Sequence, residues 1–199
     1  LVIIVVLLVV ANTFMSREGL FGFGLPYYYA ELLSLTGISI ILAVSLNLIT
    51  GFTGHFSIGH AGFMAVGAYS SVFLTVYYSQ PVEQWLTSLV GPTVAQSLVF
   101  FVIILFGALV TALAGLLVGI PSLRLRGDYL AIVTLGFAEI IRIIILNIDR
   151  VGGGTGFRGA VAPWAGRATI PQYANFVWIG GLAVITIIVV HNIVRSDIG

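Results

Sequence analysis

The sequence predicts an all-α, polytopic bundle of transmembrane helices, and three observations carry that prediction. Of the 199 residues, 59% are hydrophobic and 8% are charged, a composition that a soluble globular domain does not have. The uncharged apolar runs are several and long, so one anchor does not account for them. Runs such as Val99 to Ile120 are apolar on every face, whereas barrel strands give short alternating segments.

Six spans follow in order: Leu1 to Phe14, Leu32 to Thr50, Ala61 to Tyr78, Val94 to Ile120, Tyr129 to Ile148 and Phe176 to Val194. Leu1 begins inside an apolar run without an initiator Met or a basic flank, so the first reads as the remainder of a helix and not as a secretory signal. Between the first two spans, Met15 to Glu31 carries Arg17, Glu18, Pro26 and Tyr27, Tyr28 and Tyr29. Tyrosines there fit an interfacial aromatic belt, and the same composition also suits an ordinary loop. Ser79 to Pro92, with Pro81, Glu83 and Trp85, reads as a boundary loop. In the fourth span Ala108 with Ala112, and Gly115 with Gly119, put small residues on one face, a signal of close helix packing.

Pro121 to Asp128 is a tight polar connection with Arg124 and Arg126, and Asn147 to Asn175 is a long loop rich in glycine. Its length predicts a partly structured element. The chain stops at Gly199, soon after Arg195 and directly behind an apolar run. Both ends look cut, so a single transmembrane domain, incomplete at each end, is expected.

Charge excludes some functions. The formal net charge is +1, and the eight cations are all scattered arginines, so no basic tract for nucleic acid exists. Without cysteine there is no disulfide, thiolate metal site or thiol nucleophile. The glycines of Gly152 to Gly159 do not make a P-loop, which needs a lysine that this chain lacks.

Two places remain where chemistry could reside. From Leu32 to Val82 no Asp, Glu, Lys or Arg occurs, yet Gly51, Gly54, His55, Ser57, Gly59, His60 and Gly62 cluster within that run. Such a stretch predicts a helix break or re-entrant turn lining a cavity, or an ordinary turn between spans. His55 and His60 do not share a helical face and lack a third ligand, so no metal is expected. Ser57 lacks the G-x-S-x-G spacing of a hydrolase elbow. The second place is Glu139 with Arg142, about 16 Å along its helix from Asp128 and hence close to mid-membrane. Three residues apart, they share a face and neutralise each other. They read as the lining of a substrate path, an interhelical latch, or a self-compensated structural pair.

Three blocks in order give a resemblance. Ser45 to Tyr69, SLNLITGFTGHFSIGHAGFMAVGAY, closely resembles the signature of LivM-type permeases of branched-chain amino acid ABC transporters. Leu123 to Arg142, LRLRGDYLAIVTLGFAEIIR, resembles the same family, as does the glycine-rich Gly152 to Gly159. The resemblance implies a multi-pass subunit of a bacterial inner membrane. Its implied partners are a LivH-type permease, two cytoplasmic ATPases that hold ATP and Mg, and a periplasmic binding protein, with no cofactor in this chain. It also places Arg124, Arg126 and Arg195 in the cytoplasm and Asn147 to Asn175 outside. Leu, Ile and Val are the implied cargo, with urea, other amides or another amino acid as alternatives. Asn47, His55, Ser57, His60, Glu139 and Arg142 are then candidates for the translocation path or its gating. A non-transporting scaffold is the contrasting expectation, and an intramembrane hydrolase the most distant one.

Overall fold

The computed structural model describes residues 27–54, 57–122, 128–154, 156, 161–162, 166–167 and 176–196. Five α-helices account for most of them: α1 (Tyr27–Asn47), α2 (His60–Val90), α3 (Pro92–Ser122), α4 (Asp128–Leu146) and α5 (Phe176–Arg195). Each holds a stretch long and apolar enough to cross a membrane. Five such helices therefore stand among the described residues against the six spans expected; the first expected span, Leu1 to Phe14, lies outside them. Val161–Ala162 and Gly166–Arg167 form a two-residue antiparallel ladder.

The chain divides into two compact units. In the first, α1 packs on α5. The contact is close because Gly37 has no side chain: a Cβ there would come within 2.6 Å of Ile179 Cγ2. At its end α1 passes into a π-helical turn, Leu48–Phe52, in which the Thr53 N–H donates to the Leu48 carbonyl, five residues back, at 3.3 Å. The hydroxyls of Thr50 and Thr53 donate to the carbonyls of Leu46 and Ile49. Side-chain donors inside an apolar span are thus satisfied within their own helix.

The second unit holds α2, α3 and α4. Helices α2 and α3 form an antiparallel hairpin around Gly91, whose φ of 85° lies in a region that favours glycine. They cross where Gly67 and Ser71 meet Gly107 and Thr111. A Cβ on Gly107 would strike the Ser71 hydroxyl and come within 3.2 Å of the Gly67 carbonyl, and one on Gly67 would lie 2.7 Å from Thr111 Oγ1. Small residues let two backbones approach in this way.

These are not the small residues expected to pack. Ala108 and Ala112 are exposed, and nothing lies within 4 Å of a Cβ added to Gly115 or Gly119. The face that meets α2 is one residue away, at Gly107 and Thr111, because a four-residue spacing marks a helix face without saying which neighbour fills it.

The expected loop from Ser79 to Pro92 is also corrected. Helix α2 continues through Pro81 to Val90, and only Gly91 separates it from α3. Val82, Trp85, Leu86 and Leu89 recur at helical spacing, which outweighs one proline. The tyrosines expected in a loop likewise open α1, with Tyr28 and Tyr29 edge to face at 5.7 Å between ring centroids. After α4, a short 3-10 turn, Asp149–Val151, places Val151 against Val76 of α2, and the Tyr77 hydroxyl donates to the Arg150 carbonyl at 2.9 Å. The long loop thus begins as structure anchored to α2.

Candidate functional site

Among the described residues the glycine-rich stretch is non-helical at Thr53, Gly54 and Ser57 to Gly59, after the π-turn and before α2. On its first side, in the unit of α1 and α5, Asn47 is exposed and opens the π-turn without a side-chain cap. Its amide lies over Gly51, where any Cβ would collide with Asn47 Oδ1. Gly54 follows with a φ of 68°, in the left-handed region open to glycine. π-Helical turns are rare and concentrate at functional positions. His55 lies outside the described residues.

On its second side, in the unit of α2, α3 and α4, Ser57, Ile58 and Gly59 run without helix up to His60. A non-helical backbone within an apolar segment must find partners for its N–H groups. Ile58 finds one 76 residues away, donating to Thr134 Oγ1 of α4 at 3.2 Å, while that hydroxyl donates to the Ala131 carbonyl at 3.0 Å. Thr134 is only 5% exposed. Gly59 and Gly62 are needed for the fit. A Cβ on Gly59 would lie 3.1 Å from Thr134, and one on Gly62 would lie 2.7 Å from the Ala138 Cα. Helix α2 therefore starts with its first turn pressed onto α4. His60 and Ser57 are half-buried beside this seam.

Thr134, Ala138 and Ile141 form the stripe of α4 that meets this seam. Glu139 and Arg142 each follow a stripe residue by one position, about 100° further round the helix. That rotation turns them outward. Arg142 Nε donates to both carboxylate oxygens of Glu139, at 3.0 and 2.9 Å, and Nη2 donates to Oε1 at 2.5 Å. The two side chains nevertheless remain 51% and 63% exposed for Glu139 and Arg142. This is the one ion pair seen among the described residues, and it sits inside the candidate span Tyr129–Leu146.

Among the described residues no three His, Asp or Glu side chains converge on a metal-sized space. Arg124 and Arg126 lie outside the described residues. Arg195 closes the last turn of α5, where a cation complements the helix dipole.

The family described as branched-chain amino acid transport system, permease component, matches residues 28–199. The chain belongs to that permease family. High-affinity branched-chain amino acid transport system permease protein LivM of Salmonella typhimurium (strain LT2) is 42% identical over 124 residues, which cover 62% of this chain and 25% of that protein. LivM of Escherichia coli (strain K12) matches with the same identity and coverage. The chain spans about a quarter of the length of these relatives. No solved structure matches it. Both relatives are named as permease proteins of a transport system, and this member of the permease family is a multi-pass membrane protein. Sequence reasoning singled out Glu139, Arg142 and the glycines, and it missed Thr134. The signal available for Thr134 was the one Ser or Thr hydroxyl in an apolar span, five residues before Glu139.

Proposed function

We propose that the chain forms part of the translocation path of an ABC importer for branched-chain amino acids, leucine, isoleucine and valine, in a bacterial inner membrane. A LivH-type permease completes the path, two cytoplasmic ATPases bind ATP and Mg and supply the energy, and a periplasmic binding protein delivers the cargo. Asn47, His55, Ser57, His60, Glu139 and Arg142 line or gate the path, and Arg124, Arg126 and Arg195 face the cytoplasm. Closure of the ATPases rocks the two permeases between outward and inward access.

The observation that carries this reading is the outward-facing Glu139–Arg142 pair inside a helix long and apolar enough to cross a membrane. Ionisable side chains in such spans face protein or water and not lipid, and they mark polar routes. An amino acid is a zwitterion, and a carboxylate beside a guanidinium offers each of its charges a partner without adding net charge to the membrane. The bend at Ser57 to Gly59 supplies unwound backbone next to that helix, where transporters place polar cargo.

The test is leucine uptake into proteoliposomes holding the full-length protein with its partners. Glu139→Gln and Arg142→Met are each expected to lower ATP-dependent uptake at least tenfold, about 1.4 kcal/mol in the rate-limiting barrier, with the complex still assembled. Undiminished uptake in both variants sinks the path role and favours a scaffold subunit. Uptake of urea or an amide in place of leucine would instead reassign the cargo.

A further inference from the structure

A second feature of the α2, α3 and α4 unit lies apart from the ion pair. An open groove of about 570 Å³ runs between these helices. One wall is Val66, Tyr69 and Phe73 of α2, spaced by three and four residues, and the opposite wall is Ile141, Ile144 and Ile148, spaced likewise. Each wall spans about 10 Å of helix. Phe106 and Val110 of α3 form the floor. Two hydroxyl-bearing side chains, Tyr69 and Ser70, line this stretch, and Ser70 spends its hydroxyl on the Gly67 carbonyl at 3.1 Å. The surface is therefore apolar along its length.

Its end is different. Arg150 lines the groove just past the last turn of α4, where the candidate span has ended at Leu146. The Tyr77 hydroxyl holds the Arg150 carbonyl and so fixes the backbone that presents the guanidinium. Arg150 forms no ion pair among the described residues. Asp149 beside it is turned toward Gly153.

We propose that this groove seats an acyl chain of an anionic phospholipid, with the phosphate-bearing headgroup on Arg150. An apolar trough within the span, ending in one cation at its boundary, is complementary to an amphiphile with one anionic end. A zwitterionic amino acid does not fit, because no carboxylate lines the groove to receive its ammonium.

The experiment is native mass spectrometry of the full-length protein in mild detergent with phosphatidylglycerol or phosphatidylcholine of identical acyl chains. The wild type is expected to retain phosphatidylglycerol about fivefold over phosphatidylcholine, the discrimination that one boundary arginine supplies. Arg150→Gln should bring that ratio to about one, with phosphatidylcholine retention unchanged. Ile144→Trp, which fills the trough, should lower retention of both lipids. A photo-crosslinking side chain at position 144, with Arg150 intact, should label lipid. A wild-type ratio of one, a ratio insensitive to Arg150→Gln, retention insensitive to Ile144→Trp, or crosslinks to protein in place of lipid each overturns the proposal.

Discussion

Helix α2 meets two neighbours, and the two seams are built alike but finished differently. Against α3, Gly67 and Ser71 interlock with Gly107 and Thr111, and the Thr111 hydroxyl donates to the Gly107 carbonyl within its own helix. Among the described residues no buried side-chain polar atom at that crossing lacks a partner. Against α4, Gly59 and Gly62 allow an equally close approach, but the seam includes unwound backbone held by a single hydroxyl, Thr134. One position round α4 from the seam's stripe, Glu139 and Arg142 stand open. A seam of small residues alone therefore says only that helices pack; one that also carries unwound backbone and outward charge is unfinished by comparison, and in the proposed function it is the side that works.

The largest expected break in this comparison is Gly62→Val. Its Cβ would meet the Ala138 backbone at 2.7 Å, and backbone gives way less easily than a side-chain tip. The cost should reach the upper end of the roughly 1–3 kcal/mol typical of overpacking, read as a lost monodisperse peak on size-exclusion chromatography in detergent. A normal peak and normal melting would mean that the α2–α4 seam is not tight. Thr134→Val comes next. It keeps the shape but orphans the Ile58 N–H, at a cost of about 1–3 kcal/mol, while Thr134→Ser should stay near wild type. Equal melting of Val and Ser variants would show that the hydroxyl does not hold the break.

Much of the architecture was legible because apolar run length is a direct physical demand of the bilayer. The expected Val94 to Ile120 lies within α3, Pro92–Ser122, and Phe176 to Val194 falls one residue short of α5. The continuation of α2 to Val90 was missed because Pro81 and Glu83 read as loop chemistry, although the apolar spacing beyond them was helical. The packing face of α3 was displaced by one residue for a different reason: Gly67 with Ser71 and Gly107 with Thr111 also have four-residue spacing, and only the fold pairs them. Glu139 and Arg142 were legible as a mutual pair from their separation of three. Their outward orientation was not, since it depends on which stripe of α4 packs on α2.

Gly107→Ala against Gly115→Ala sharpens the comparison further. The first places a methyl on the Ser71 hydroxyl and close to the Gly67 carbonyl, and the second meets open space. The Ser71 hydroxyl can rotate, so about 1–2 kcal/mol is expected for Gly107→Ala, seen as a lower midpoint of thermal unfolding. Gly115→Ala should leave the isolated chain unchanged. A loss of assembly with partner subunits on Gly115→Ala alone would place a neighbouring protein on that face.

The smallest effect belongs to Tyr77→Phe. Its hydroxyl is exposed and donates one neutral hydrogen bond to the Arg150 carbonyl, and such a bond contributes about 0.5–1.5 kcal/mol. Phenylalanine keeps the ring against Phe73, whose centroid is 4.7 Å away, so packing survives. The expected change is local: faster hydrogen exchange at the amides of Val151 and Gly152, which donate within the 3-10 turn that this bond anchors, with the α2–α3 crossing unaffected. Exchange that quickens equally at Thr111 and at Val151 would mean that the two seams open together, and the distinction between a finished and an unfinished side of α2 would fail.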